Sequence, residues 1–218
     1  MQEISVKGII VSSSPQGEYG KRLVIISDKL GKITAFAGGA AKANSGITGS
    51  ARPVTCASFI LGKGRSAYNI HGISVIDSFD DLGRDFDKSV YASYVLEAGE
   101  YFSAEGMAEE DSKKLLNLMF VTLRALRSGA PEAELIRRIY GLRLLVLQGE
   151  YTTAPADSDD PEVIRLWQYC IGAPLNRLYD KDIFGIPGAD EFCRSADRFF
   201  TKTVGHRFRS LSVIAQTI

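Results

Sequence analysis

The first 80 residues alternate apolar and polar positions in short runs broken by turn residues, a period-two pattern that predicts β-strands. Residues 4–12 form the first run, closed by a Ser-Ser-Ser-Pro-Gln-Gly stretch. Residues 22–27 are an apolar run short enough for a buried strand, and residues 28–31 read as a tight hairpin into a third run over 32–37. Residues 38–51 are rich in Gly, Ala, Ser and Asn. With so few large apolar side chains they cannot bury themselves, and an exposed loop is expected. Runs over 53–61 and 65–79, separated by Gly62-Lys63-Gly64, complete a set of five strands. Five short strands with one long loop suit a small closed barrel such as the OB-fold; a five-stranded SH3-like barrel would show the same periodicity.

From residue 85 the period changes to three or four. Phe86, Val90, Tyr94, Ala98 and Tyr101 mark one helix face, and Leu115, Met119, Leu123 and Leu126 mark a second. Asp111 or Ser112 can cap the second helix, Gly129 can end it, and Pro131 suits the first position of the next. Residues 135–147 are apolar nearly all round, which predicts the central helix of a bundle. The polar, acidic stretch 151–160 reads as a surface loop. Asp160-Pro161 then opens a helix to residue 171, and residues 188–204 form the last long helix, burying Phe192, Ala196, Phe199 and Phe200. The expected fold class is α+β, with a barrel domain over residues 1–80 and an all-helical domain over 81–218.

Composition adds location and partners. A 45% hydrophobic and 24% charged chain carries enough apolar material for a packed core. No cationic start with an apolar h-region is present, and no run approaches a membrane span, so a protein that is neither secreted nor membrane-embedded is expected. Cys56, Cys170 and Cys193 are odd in number and far apart, which fits a reducing cytoplasm rather than a disulfide framework. Net charge is zero but unevenly spread. Residues 1–80 hold nine Lys/Arg against five Asp/Glu, 81–162 nine against sixteen, and 163–218 eight against five. A basic barrel points to contact with a polyanion.

Strong catalytic signatures are missing: there is no phosphate-binding Gly-rich loop, no His-Glu-x-x-His and no Gly-x-Ser-x-Gly. His71 and His206, the only histidines, leave little material for a zinc site or a histidine-based triad. The acidic group Asp80, Asp81, Asp85 and Asp87 could form a metal-dependent nuclease site, but its place beside a helix N-terminus explains it more simply. No metal, cofactor or enzyme activity is expected. The better lead is Lys21, Arg22, Lys32, Lys42, Arg52, Lys63 and Arg65, cations at strand ends and in loops where they can reach phosphates without disturbing a core. Tyr19, Phe36 and Tyr68 could stack on unpaired bases, Phe36 more readily serving the core.

The order of short motifs resembles the bacterial DNA repair protein RecO family of recombination mediators. The resemblance is carried by Lys7-Gly8-Ile9-Ile10-Val11, Gly17-Glu18-Tyr19, Arg22-Leu23-Val24 and Gly31-Lys32-Ile33-Thr34-Ala35. It continues through Gly39-Ala40-Ala41-Lys42 with Ser45, Arg52-Pro53, Ser78-Phe79, Tyr91-Ala92-Ser93-Tyr94 and the closing Gly205-His206-Arg207-Phe208-Arg209-Ser210-Leu211. It implies an N-terminal OB-fold that binds single- and double-stranded DNA, followed by a helical domain. It also implies strand annealing, partnership with RecR, contact with the C-terminal tail of the single-stranded-DNA-binding protein, and indirect help in loading RecA. Two departures stand out. Many members carry a four-cysteine zinc module after the central helix, where residues 150–160 hold no cysteine. The long loop, usually richer in cations, retains Lys42 alone. DNA or protein contact could shift to Arg194, Arg198, Lys202, Arg207 and Arg209. The competing expectation is a protein-interaction adaptor with an OB-like barrel and no significant DNA binding.

Overall fold

The computed structural model describes residues 3–18, 20–38, 50–129, 131–180 and 188–217. Five strands, β1 (Glu3–Gln16), β2 (Gly20–Ser27), β3 (Gly31–Ala37), β4 (Cys56–Lys63) and β5 (Tyr68–Asp77), close a barrel in the order β1-β2-β3-β5-β4. With the fifth strand between the third and fourth, this is the OB-fold arrangement and not the SH3-like alternative. The long first strand serves two neighbours. Its first half pairs antiparallel with β4 and its second half with β2, and a register shift between Ile10 and Ser12 bends it around the barrel. The β3–β5 pairing is parallel and short, with Ala35 opposite Tyr68 and Phe36 opposite Asn69.

Alternation sorts the side chains. Val6, Ile10, Leu23, Ile25, Ile33, Ala35, Phe59, Leu61 and Ile70 fill the interior. Val24 and Ile26 have the opposite parity yet are also buried, which is why β2 reads as an unbroken apolar run.

The chain divides into two compact units: residues 1–80 with 99–116, and residues 81–98 with 117–218. Segment 99–116 is sewn to the barrel by backbone hydrogen bonds. The Lys32 amide donates to the Ala104 carbonyl at 3.0 Å, and the Gly106 amide to the Leu30 carbonyl at 3.3 Å. The φ of Gly31 is +67°, and a Cβ there would lie 2.2 Å from the Ala104 carbonyl oxygen, so only glycine permits this approach.

Six helices follow the barrel among the described residues: α1 (Phe86–Tyr101), α2 (Glu109–Ser128), α3 (Ala133–Leu147), α4 (Pro161–Gly172), α5 (Ala189–Val204) and α6 (Arg209–Thr217). In α1, Tyr91, Ala92, Tyr94, Val95, Leu96 and Ala98 are all buried, whereas the terminal Phe86 and Tyr101 of the expected face are exposed. Helix α2 starts earlier than its expected cap, with Glu109, Glu110 and Asp111 in a first turn that favours negative charge. Helix α3 begins two residues after Pro131 and is buried from Leu135 to Leu145 with few breaks. The Asp160 carboxylate caps α4 by accepting the Glu162 amide at 2.8 Å, with Pro161 in the first turn.

Helix α6 is absent from the sequence expectation. Its serines, Val213 and Ile214 are weak helix formers, so local propensity gives little signal. Its N-terminus is capped from α1: the Glu97 carboxylate accepts the Arg209 amide at 2.9 Å, the Ser210 amide at 2.9 Å and the Ser210 hydroxyl at 2.5 Å. Burial works to raise the Glu97 pKa, but these hydrogen bonds outweigh it and hold the carboxyl below its ordinary range. Beneath this cap, Tyr94 meets Tyr140 and Phe208 edge to face, with ring centroids 6.1 and 5.8 Å apart.

Candidate nucleic-acid interface

Strands β2 and β3 turn Arg22, Thr34 and Phe36 to the outside, with Arg22 opposite Phe36 and Val24 opposite Thr34. The Arg22 guanidinium donates to the Thr34 hydroxyl at 3.3 Å. Next to Thr34 lies a cleft of about 160 Å³ lined by the β4–β5 turn from Lys63 to Ala67, by Tyr68 and by Glu105. The turn is held by the Gly64 amide, which donates to the Ala67 carbonyl at 2.9 Å and leaves Lys63 and Arg65 exposed. Arg22 therefore lies on the outer face beside the cleft that Lys63 and Arg65 line, whereas the expected stacking residue Tyr68 lines the cleft with its ring packed partly against the barrel core.

The other expected barrel cations are engaged elsewhere. Lys21 shares the interior parity of Leu23 and Ile25, and its ammonium donates to the Ala51 carbonyl at 3.0 Å. The Lys32 ammonium lies 3.5 Å from the Glu100 carbonyl. Arg52 is ion-paired with Asp80 at 2.5 Å. Lys42 and Tyr19 fall outside the described residues. Glu105 was not anticipated, because it reaches the barrel from a segment 68 residues beyond the end of β3, where Gly31 pairs with it.

In the helical unit, Arg194, Arg198 and Lys202 recur every four residues along α5 and are exposed, as are Arg207 and Arg209. Arg198 is ion-paired with Asp157, whereas Arg194, Lys202 and Arg207 make no ion pair among the described residues. A groove of about 600 Å³ runs beside α2, where Phe120 and Arg124 face Leu175 and Tyr179. Deeper in the unit, Arg137 is only 9% exposed. It makes two hydrogen bonds to Asp197, at 2.9 and 3.1 Å, and also bonds Glu134. Burial alone would favour neutral arginine, but the hydrogen bonds and charge of Asp197, with the charge of Glu134, raise its pKa further. Arg138 joins the same two carboxylates, and the Tyr91 hydroxyl donates to Glu134 at 2.7 Å.

Both histidines and three of the four aspartates at the barrel–helix junction have partners within the protein. Asp81 is ion-paired with Arg127 at 3.8 Å, and the Asp85 carboxylate accepts the Lys88 amide at 3.2 Å. His71 Nδ1 lies 2.7 Å from Glu3, and the His206 ring packs edge-on to Phe208. Burial pushes the Cys56 thiol up to about 11 and raises Cys170 and Cys193 as well. Among the described residues, no group of three or more His, Cys, Asp or Glu side chains is placed to hold a metal ion, and no helix is long and apolar enough to cross a membrane.

A closed OB-fold barrel with a cation-rimmed outer cleft, followed by helices, defines the class: an OB-fold protein with a helical extension. Residues 1–79 belong to the family described as Recombination protein O N terminal. The likeness continues into the helices. The chain is 32% identical over 146 residues to the DNA repair protein RecO of Alkaliphilus metalliredigens, covering 67% of this chain and 58% of that protein. It is 30% identical over 149 residues to the RecO proteins of Caldicellulosiruptor saccharolyticus and Desulforudis audaxviator, covering 68% of this chain and 59% and 58% of theirs. The chain thus spans somewhat under three fifths of the length of these relatives.

Proposed function

We propose that this protein is a non-catalytic, cytoplasmic DNA-binding mediator of recombinational repair. Residues 1–80 would hold the DNA and residues 81–218 the partner contacts. The observation that carries the reading is the gathering of Arg22 on the β2–β3 face with Lys63 and Arg65 on the β4–β5 turn, beside the part-buried ring of Tyr68, the surface with which OB-folds take oligonucleotides. Arginine and lysine there neutralise phosphates without reading sequence, and a ring offers a base somewhere to stack. Neutralising phosphates on two strands lowers their mutual repulsion, which is what annealing requires, and no bond is made or broken. The names of the relatives support the repair role. Partnership with RecR, contact with the single-stranded-DNA-binding protein's acidic tail and indirect help to RecA extend the same reading. The exposed α5 stripe, with Arg207, has the charge to meet such a tail.

One observation favours the adaptor reading: Lys21, Lys32 and Arg52 are already engaged within the protein. An annealing assay with two complementary labelled strands separates the two. The mediator pairs strands faster than they pair alone, at low salt most of all. A chain that leaves the annealing rate unchanged, yet is retained by an immobilised acidic tail peptide, is the adaptor.

A further inference from the structure

We propose that the cleft beside Thr34 is a pocket for a single unpaired nucleobase and that Glu105 makes it select against thymine. This inference rests on the DNA-binding reading above and adds a base preference to it. The cleft occupies a break in the barrel wall. Strand β3 meets β5 only at Ala35 and Phe36, and further back along the same edge, the other being held by β2, the Lys32 amide is taken by Ala104. Thr34 stands between these two attachments.

At about 160 Å³ the cleft is well below the roughly 300–1,000 Å³ of sites for larger ligands, and a planar base is the part of a nucleic acid that fits. Its lining divides by chemistry. Lys63, Arg65 and, through Thr34, Arg22 are placed for the backbone phosphates, and Tyr68, part-buried against the barrel core, offers the exposed part of its ring. Glu105 fits neither task, because a carboxylate repels phosphate and accepts hydrogen bonds without donating any. Its complement is a donor on the base edge. Cytosine N4 and adenine N6 carry amino groups that a carboxylate accepts. Thymine presents a carbonyl oxygen at the matching position, and its one edge donor, N3–H, is flanked by two carbonyl oxygens that repel a carboxylate. The same carboxylate that weakens general electrostatic attraction therefore gives the site a preference.

Fluorescence anisotropy with the full chain and labelled twelve-residue oligo(dC), oligo(dA) and oligo(dT), at one low salt concentration, tests this. Oligo(dC) and oligo(dA) are expected to bind about five- to tenfold more tightly than oligo(dT), the lower part of the range for one base contact because Glu105 is exposed. In Glu105→Gln the amide can donate to the thymine carbonyl, and the ratio falls towards one through a gain for oligo(dT). An equal affinity of wild type for all three, or a ratio that survives in Glu105→Gln with its urea midpoint unchanged, overturns the pocket while leaving DNA binding intact. Failure of wild type to bind any of the three overturns the underlying reading together with the pocket.

Discussion

Asp197→Ala removes the partner of a buried arginine and should cost the helical unit much of its stability. Arg137 cannot shed its charge, and Asp197 holds it with two hydrogen bonds while also binding Arg138. In the variant, Glu134 alone must serve both guanidinium groups. Deleting one member of a buried pair costs about 3–5 kcal/mol. Asp197 is 38% exposed, so water replaces part of what is lost, and about 2–3 kcal/mol is the expected penalty. Trp167 of α4, the only tryptophan, is buried against Phe192 and Phe199 of α5, the helix that carries Asp197, at 6.2 and 5.4 Å between centroids. Its fluorescence therefore reports unfolding of the unit that carries the lesion. With a urea slope of about 2–3 kcal/mol/M, the midpoint should fall by about 1 M. The double variant Arg137→Met, Asp197→Leu removes both charges and should recover most of that loss. A midpoint shift below about 0.3 M in Asp197→Ala, or a double variant less stable than the single one, would refute this account of the cluster.

Gly31→Ala should destabilise the barrel unit by at least about 1 kcal/mol, because it combines a left-handed backbone with a collision against Ala104; the thermal midpoint of the full chain checks it. Glu97→Gln should lower stability at neutral pH by about 1 kcal/mol through a weakened cap. Since hydrogen bonds hold the Glu97 carboxyl below its ordinary value of 4.5, its contribution is full above that value and is lost as pH falls through the lower folded value. Urea midpoints should thus differ between wild type and variant at pH 6, and the gap should close on acidification below 4.5.

Much of this architecture is legible in local pattern. Period two with Gly-rich turns predicts the barrel, and the stretches 115–126 and 135–147 announce α2 and α3. What local pattern misses is settled by distant partners. Helix α6 depends on a carboxylate 112 residues earlier in the chain, and the Arg137 cluster joins α3 to α5 across 60 residues. Among the cations, the engagement of Lys21 had a readable signal, since it alternates in step with Leu23 and Ile25. The hold on Lys32 and the arrival of Glu105 at the cleft had none, because both depend on how segment 99–116 returns to β3. Motif resemblance located the barrel and the family, but motif order carries no information on which cations stay free.

The most direct test of the central claim is the salt dependence of single-stranded DNA binding by the full chain and by an Arg22→Ala, Lys63→Ala, Arg65→Ala variant. Each phosphate contact on a single strand contributes about 0.7 to the slope of log affinity against log salt. If the barrel face holds the DNA through these three side chains, the variant's slope should be shallower by about 2, while Arg194→Ala, Lys202→Ala, Arg207→Ala should leave it unchanged. An unaltered slope in the barrel variant, or the same loss produced by the α5 variant, would contradict the assignment of DNA binding to the barrel.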